Sequence, residues 1–363
     1  MSKFLLPMIM ASGLVLSACN SDDKSTESVV TPPQPPEKHL FYQDRAFDLQ
    51  AHRGGLGLNT ESSIASFSHA LEMGVTTLEL DTQVTKDGHV VVTHDRQISK
   101  NKCIDVAPVT GGDPLYPYVG KYIKDLTLEQ IKTMDCGRLQ LKDYPQQQTH
   151  PDAKMLTLKE FFALVKSYQA DNVLMNIETK IEAGAPEQTA PREQFVRAVL
   201  KDIEDSGLQN QITIQSFDWG ALMLVRKLNP KLPIVALTNG QQFLQAGQEG
   251  KSPWLGGIDI DDFQGDLIDA VKSFGADAIS PVHGNPQNGK ITDAQYVPYT
   301  TQAMIEKAHK NNIKVIPWTV SDAATIDHLI KLGVDGIITD LPDVARLSML
   351  KAQMPLPEPV KKK

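Results

Sequence analysis

Four short runs in this chain finish in residues that a purely structural strand has no use for. They end Ala51-His52-Arg53-Gly54, Leu78-Glu79-Leu80-Asp81, Val92-Thr93-His94-Asp95 and Asn176-Ile177-Glu178-Thr179-Lys180. On an extended strand alternate side chains share a face, which sets Glu79 and Asp81 about 6–7 Å apart on one side and Leu78 and Leu80 on the other. Asn176, Glu178 and Lys180 likewise share a face, opposite Met175 and Ile177. Three carboxylates gathered at one rim repel one another and raise each other's pKa. A divalent cation relieves that repulsion, and an all-oxygen donor set (Glu79, Asp81, Glu178) favours Mg²⁺ or Ca²⁺ over zinc. The plainer alternative is a set of rim salt bridges, such as Glu178 with Lys180 or Arg53.

His52 and His94 form the natural acid–base pair. Imidazole has an ordinary pKa near ~6.5, so one ring can take a proton while the other gives one. Each of the two closes a run beside another charged residue, which sets them apart from His39, His69, His89, His150, His283, His309 and His328, read as structural. Arg53 and Lys180 add two fixed positive charges. A cation, two imidazoles and two basic side chains suit a phosphate ester, whose transition state spreads negative charge over its oxygens. A serine hydrolase is poorly supported, since no Gly-x-Ser-x-Gly elbow occurs. Gly54-Gly55-Leu56-Gly57 is glycine-rich but has the spacing of neither a P-loop nor a dinucleotide turn.

The elements that must position these residues alternate. Strand candidates are Leu49–His52, Thr76–Asp81, His89–His94, Val173–Glu178, Ile212–Gln215, Ile234–Leu237, Gly257–Ile260, Ala276–Ser280, Lys314–Trp318 and Gly336–Thr339. Helical stretches are Ser62–Met73, Leu126–Met134, Leu158–Tyr168, Arg192–Ser206, Trp219–Leu228, Leu267–Phe274, Thr301–Asn311 and Ala323–Leu332. In the first, Ile64, Phe67 and Leu71 share a face and Gly74 supplies the stop. Such alternation argues a parallel sheet with crossover helices, an α/β fold. Ten candidates exceed the eight strands of a closed (β/α)8 barrel, and His89–His94 and Gly257–Ile260 are the two to set outside it; an open doubly wound sheet is the competing fold. Residues 99–154 break the rhythm, with few strand signals, and a connection so long is usually functional. Following His94-Asp95, this insertion is expected over the C-terminal mouth of the barrel, where it would shape substrate access.

Composition and termini narrow the setting. The 363 residues carry 36 basic and 44 acidic side chains, a net charge of −8 that lacks the basic excess of a nucleic-acid binder. Hydrophobic residues at 41% and charged ones at 22% describe a globular chain, and no apolar run reaches the roughly 18 residues of a membrane span. Residues 1–18 read as a secretory signal, and Leu16-Ser17-Ala18-Cys19 resembles a bacterial lipobox with Cys19 as the lipidated residue. Residues 19–46, with Thr31-Pro32-Pro33-Gln34-Pro35-Pro36, read as an extended tether, 47–350 as the catalytic domain, and 351–363 as a flexible tail. The expectation is an exported protein, lipid-anchored in a bacterial envelope on the periplasmic side. Cys103 and Cys136 then remain as two thiols in an oxidising compartment, where they tend to pair; neither has a zinc spacing.

The ordered set His52-Arg53-Gly54, Glu61, Glu79-Leu80-Asp81, Thr85-Lys86-Asp87-Gly88, His94-Asp95, Glu178-Thr179-Lys180, Gln215-Ser216-Phe217, Trp318-Thr319 and Ile338-Thr339-Asp340 resembles the glycerophosphodiester phosphodiesterase family. The resemblance runs from Leu49 to about Leu347 and departs at Glu61-Ser62-Ser63, where the family commonly has Glu-Asn-Thr. It implies a (β/α)8 barrel related to the phosphatidylinositol phospholipases C. It also implies one divalent cation, Ca²⁺ or Mg²⁺, held by Glu79, Asp81 and Glu178. His52 matches the family's general base, His94 its general acid and Arg53 its phosphate-binding arginine. Glu61 matches a site glutamate that either ligates or supports, and the insertion with Cys103 and Cys136 resembles an added subdomain of exported members. Lys180 is expected on phosphate, and Phe217 and Trp318 at the glycerol end of the substrate unless they are plain core. The reaction implied is hydrolysis of deacylated phospholipids to sn-glycerol 3-phosphate and an alcohol. Two alternatives stand beside it: a related phosphodiesterase acting on lysophospholipid or sphingomyelin, and a tethered solute-binding lipoprotein without catalysis.

Overall fold

The computed structural model describes residues 39–43, 47–240, 247 and 250–362. The expected signal, Cys19 with its expected lipidation and most of the expected tether lie outside the described residues. Among those described, eight parallel strands form a ring: β1 (Asp48–Ala51), β2 (Thr77–Val84), β4 (Leu174–Thr179), β5 (Ile212–Ser216), β6 (Ile234–Thr238), β7 (Ala278–Pro281), β10 (Lys314–Val315) and β11 (Gly336–Thr339). They run in the order β10-β7-β6-β5-β4-β2-β1-β11. Backbone bonds close the circle between its ends: Asp335 N–H donates to Val315 O (2.9 Å), Ile338 N–H to Pro317 O (2.9 Å) and Val320 N–H to Ile338 O (3.0 Å). This is the (β/α)8 barrel that the alternation and the resemblance implied, and the open sheet is set aside.

The strands obey the two-residue period. Leu49, Leu78, Leu80, Met175, Ile177, Ile214 and Ile337 turn outward and share one apolar core with the helices. Inward-facing Leu174, Val235, Ala278, Ile316 and Ile338 form a separate cluster at the lower end of the barrel, packed around Phe41. That phenylalanine sits in a single 3-10 turn, Leu40–Tyr42, and the ring of His39 contacts Ile212 O at 2.9 Å. Residues 39–43 therefore plug the barrel, and the expected tether boundary at residue 46 lies too far along the chain.

The helices follow their strands: α1 (Ile64–Met73), α2 (Leu128–Lys132), α3 (Leu158–Tyr168), α4 (Arg192–Ser206), α5 (Trp219–Leu228), α6 (Leu267–Ser273), α7 (Gln302–Lys310), α8 (Ala323–Leu332) and α9 (Pro342–Lys351). Ser63 caps α1 in a reciprocal box with Ser66, and Gly74 ends it at φ +89°, where only glycine is unstrained. Phe67 and Leu71 are buried as expected, but Ile64 is 57% exposed, because burial on α1 begins only at Ser66. The residues expected to fray at the C-terminus are held: Val360 N–H donates to Leu71 O (2.8 Å), and Arg346 bonds both Gly74 O and Pro357 O. Helix α9, started by Pro at its first position, was not among the expected helices.

Two strand candidates fall outside the ring. β3 (Val90–Val92) pairs antiparallel with the far end of β2, and Ile260 opens a 3-10 turn. His94 and Asp95 thus do not end a barrel strand; they sit in a bend just past β3. Beyond them the insertion has a small core, built from Tyr118, Ile123, Leu126, Ile131 and Met134 and packed with Ile98 and with Val91 of β3. Cys103 and Cys136 are joined there as a disulfide. A minor hairpin of β8 (Gly284–Asn285) and β9 (Val297–Pro298) follows β7. Closing a 33-residue separation gives about 3–4 kcal/mol in the chain-entropy account. The double variant Cys103→Ser/Cys136→Ser is therefore expected to lose stability of that order in urea denaturation while keeping the far-ultraviolet circular dichroism of the barrel; an unchanged midpoint would contradict this.

Candidate active site

The C-terminal ends of the ring converge on one cavity of about 310 Å³, lined by His52, Arg53, Glu79, Asp81, His94 and Glu178 together with Lys180, Gln215, Phe217 and Trp318. β1 ends at Ala51 and the chain turns at once through His52–Gly54. Arg53 lies in the left-handed region at φ 52°, a costly setting for a side chain with a Cβ. Its N–H donates to Glu79 Oε2 (2.9 Å) and its carbonyl accepts from Ser62 N–H (2.9 Å), and these two bonds hold the turn. Gly54 follows at φ +81°, and a Cβ there would meet Ser66 Oγ at 2.6 Å, so glycine is needed for the close approach to α1.

Parallel register sets the acids side by side. Glu79 lies opposite Asn176 and Asp81 opposite Glu178, so Glu178 faces Asp81 across adjacent strands. Ligating atoms of His52, Glu79 and Asp81 lie within 4.8 Å of one another. Glu178, expected as the third ligand, stands beside this group: its Oε1 is 3.0 Å from Lys180 Nζ, which is also 3.8 Å from Asp81 Oδ1. The rim contact of Glu178 with Lys180 is therefore made. Glu61 does not join the ligating group either. It lies 3.4 Å from Arg53 Nη1 and accepts from Lys102 Nζ at 2.8 Å, so it acts as an ion-pair anchor for two cations.

Carboxylates crowd this rim. Glu61, Glu79, Asp81, Asp95, Glu178 and Asp340 outnumber Arg53, Lys102 and Lys180. Burial, then the charge of Asp81, pushes Glu79 well above the ordinary carboxylate range. Burial also raises Glu178, to about 8, against the pull of Lys180 and with the push of Asp81. For Asp81 burial acts upward, but Arg53, His94 and Lys180 outweigh it and hold the carboxyl low. Arg53 Nε is 2.9 Å from Asp81 Oδ2 without hydrogen-bond alignment, and both atoms are buried with no hydrogen-bond partner. A buried carboxylate oxygen without a donor, beside a second acid held by Gln215 Nε2 at 2.7 Å, is a donor set that fits a hard divalent cation.

Both imidazoles are backed by a carboxylate through Nδ1, leaving Nε2 for chemistry. His52 Nδ1 is 2.5 Å from Asp340 Oδ1, and His94 Nδ1 is 2.7 Å from Asp95 Oδ1. Burial, then Lys180 and Arg53, pushes His94 down to about 4. Phe217 and Trp318 meet edge to face with centroids 5.3 Å apart, and Lys180 Nζ lies 5.6 Å from the Phe217 ring centre. They are walls of the cavity and not plain core. His94, Glu178, Lys180 and Phe217 also line a wider cleft of about 890 Å³ that extends past Arg96 and Glu182.

Sequence reasoning assigned no role to Asp340, Gln215, Lys102 and Tyr144. Asp340 obeys the same rule as the others, a polar residue just past a strand end, and Gln215 lies on the inward period of β5. Lys102 and Tyr144 stand in irregular insertion backbone, where no periodicity points at them.

A model of the glycerophosphoryl diester phosphodiesterase family matches residues 52–344. A glycerophosphodiester phosphodiesterase of Caldanaerobacter subterraneus subsp. tengcongensis is 29% identical over 293 residues, 81% of this chain and 93% of the relative. Among solved structures, a protein of Silicibacter pomeroyi named as a candidate glycerophosphoryl diester phosphodiesterase superposes with TM-score 0.70 at 23% identity, covering 86% of this chain and 96% of that one. An Oleispira antarctica phosphodiesterase in complex with the product sn-glycerol-3-phosphate gives TM-score 0.60 at 17% identity, covering 83% and 96%.

A raised Glu178 gives a testable pH effect. Its folded pKa of about 8 exceeds the unfolded value near ~4.3, so the folded state keeps a proton that the unfolded chain releases, and stability falls as pH rises between the two. Chelator-treated Glu178→Gln is expected to show a smaller drop in melting temperature from about pH 5 to about pH 8 than the parent; an equal drop would contradict the assignment.

Proposed function

The chain belongs to the glycerophosphoryl diester phosphodiesterase family, and we propose that it is a metal-dependent enzyme that hydrolyses deacylated phospholipids to sn-glycerol 3-phosphate and the free alcohol. The observation that carries this reading is a pair of aspartate-backed imidazoles opening on the same cavity as a buried acid cluster and two fixed cations. A binding protein has no need of two proton-transfer groups, which favours catalysis over simple solute capture.

Glu79 and Asp81 would hold the cation, with Glu178 as a further oxygen donor, and Ca²⁺ or Mg²⁺ suits these carboxylates. When bound it supplies charge stabilisation at the phosphoryl oxygens. Arg53 and Lys180 hold the other phosphate oxygens, and Phe217 and Trp318 pack against the glycerol carbons. His52 Nε2 takes the proton of the attacking oxygen, whether that of water or of the glycerol 2-hydroxyl. The bond from phosphorus to the alcohol oxygen breaks, and His94 Nε2 gives that oxygen a proton. Burial, then Lys180 and Arg53, disfavours the protonated His94 ring, and an arriving phosphodiester anion works against those two charges. The wider cleft is lined by Asp95, Arg96, Lys100, Asn101 and Glu182 together with Ile98, Val119, Ile181, Phe217 and Trp254, a mixed polar and apolar wall for the alcohol moiety. An exported, lipid-anchored placement through Cys19 completes the proposal and would put the enzyme where phospholipid debris arises.

Release of sn-glycerol 3-phosphate from glycerophosphocholine tests the reading. Activity is expected, to be lost with chelator and restored by Ca²⁺ or Mg²⁺. His52→Ala and His94→Ala are each expected to lose roughly 10²-fold or more in kcat with the fold intact by circular dichroism. Near-parental turnover in either variant would overturn the catalytic assignment.

A further inference from the structure

The cysteine-bearing insertion does more than cover the mouth. Lys102, next to Cys103, places its Nζ 2.8 Å from Asp95 Oδ2, and Asp95 Oδ1 holds the Nδ1 of His94. The same ammonium donates to Glu61, which in turn anchors Arg53. On the opposite wall, the Tyr144 hydroxyl donates to Asp340 Oδ2 at 2.5 Å, and Asp340 Oδ1 holds the Nδ1 of His52. Each histidine is thus the end of a three-member chain whose outermost member is an insertion residue. Without Tyr144, Asp340 Oδ2 keeps only a longer contact, 3.3 Å from Ser321 Oγ.

The insertion is itself fastened to the turn that carries these groups. Thr60 N–H donates to Gln148 O (2.9 Å), Gln148 N–H to Leu58 O (2.9 Å), Gln147 Nε2 to Leu56 O (2.6 Å), and the His150 ring meets Asn59 Oδ1 (2.9 Å). A lid that merely shields substrate needs no such bonds to the base of the site.

We propose that Lys102 and Tyr144 are positioning residues for the two histidines, Lys102 for His94 through Asp95 and Tyr144 for His52 through Asp340. The chain of contacts is a matter of aim: a carboxylate fixed at its outer oxygen presents its inner oxygen in one direction, and the imidazole plane follows. This rests on the acid and base roles given above, and those roles make the two residues separable. His94 serves the leaving alcohol, so its position matters for a poor leaving group and hardly at all for an acidic phenol that departs without a proton. His52 serves the attacking oxygen and matters for both.

The experiment compares two substrates, glycerophosphoethanolamine and glycerophospho-p-nitrophenol, on the metal-loaded full chain. Lys102→Met is expected to lose roughly tenfold in kcat on the ethanolamine ester and less than about twofold in kcat on the nitrophenyl ester, with any rise in KM through the Glu61–Arg53 contact shared by both esters. Lys102→Arg, which keeps the donor, is expected to recover most of the loss. Tyr144→Phe is expected to lose roughly tenfold in kcat on both substrates alike. Equal losses on both esters for Lys102→Met, or no loss for either variant, would overturn the positioning roles. The reverse split, with Tyr144→Phe alone sensitive to the leaving group, would uphold the positioning and overturn the histidine assignment.

Discussion

Everything at the mouth of this barrel answers to one constraint: too many carboxylates in too little water. Glu79, Asp81 and Glu178 sit on neighbouring strands in register, each buried, and burial raises the cost of charge on all of them. The chain offers Arg53 and Lys180 in response, and they satisfy the cluster only in part, leaving Asp81 Oδ2 and Arg53 Nε without hydrogen-bond partners. Left to itself such a cluster is a liability for folding. In the proposed reaction a divalent cation and a phosphodiester anion would complete the charge pattern. Arg53 shows what the fold gives up for this arrangement, since its backbone is held left-handed so that its N–H can reach Glu79 and its side chain can lie beside Asp81.

A (β/α)8 barrel suits this problem because the closed ring puts polar side chains on its inner face while the outer face packs against helices. Here the lower interior is filled by Phe41 and its apolar neighbours and the middle by Gln50, Asn176, Thr213 and Gln215, which bond one another. That polar layer is the floor of the site: Gln215 passes from the Asn176 amide to Glu79 and fixes the acid from below. Support from above comes from the insertion, whose small core and disulfide give it the stiffness to hold side chains at a fixed distance.

Much of this was legible because strand periodicity is a strong rule. Alternation alone paired Glu79 with Asp81 and Glu178 with Lys180 and sent Leu78, Leu80, Met175 and Ile177 outward, and the eight barrel strands are the candidates left once His89–His94 and Gly257–Ile260 are set aside. Closing a ring also made the meeting of distant strands a consequence of the fold. The reading faltered where position depends on tertiary contact. Ile64 has the helical spacing of a core residue but precedes the stretch of α1 that packs. Proline and lysine at the C-terminus suggested fraying, yet the backbone of Val360 docks on α1. Whether Glu178 meets a cation or Lys180 is a matter of side-chain placement that no residue pattern encodes, and Lys102 and Tyr144 lie in backbone with no period at all.

The central claim is that the buried acids of β2 form a cation site. Soaking crystals in Mn²⁺ and collecting at its absorption edge tests it most directly. The account predicts one strong anomalous peak within bonding distance of carboxylate oxygens from both Glu79 and Asp81, competed away by Mg²⁺ or Ca²⁺. An active enzyme whose crystals show no peak there, with Lys180 still bridging Glu178 and Asp81, would contradict it.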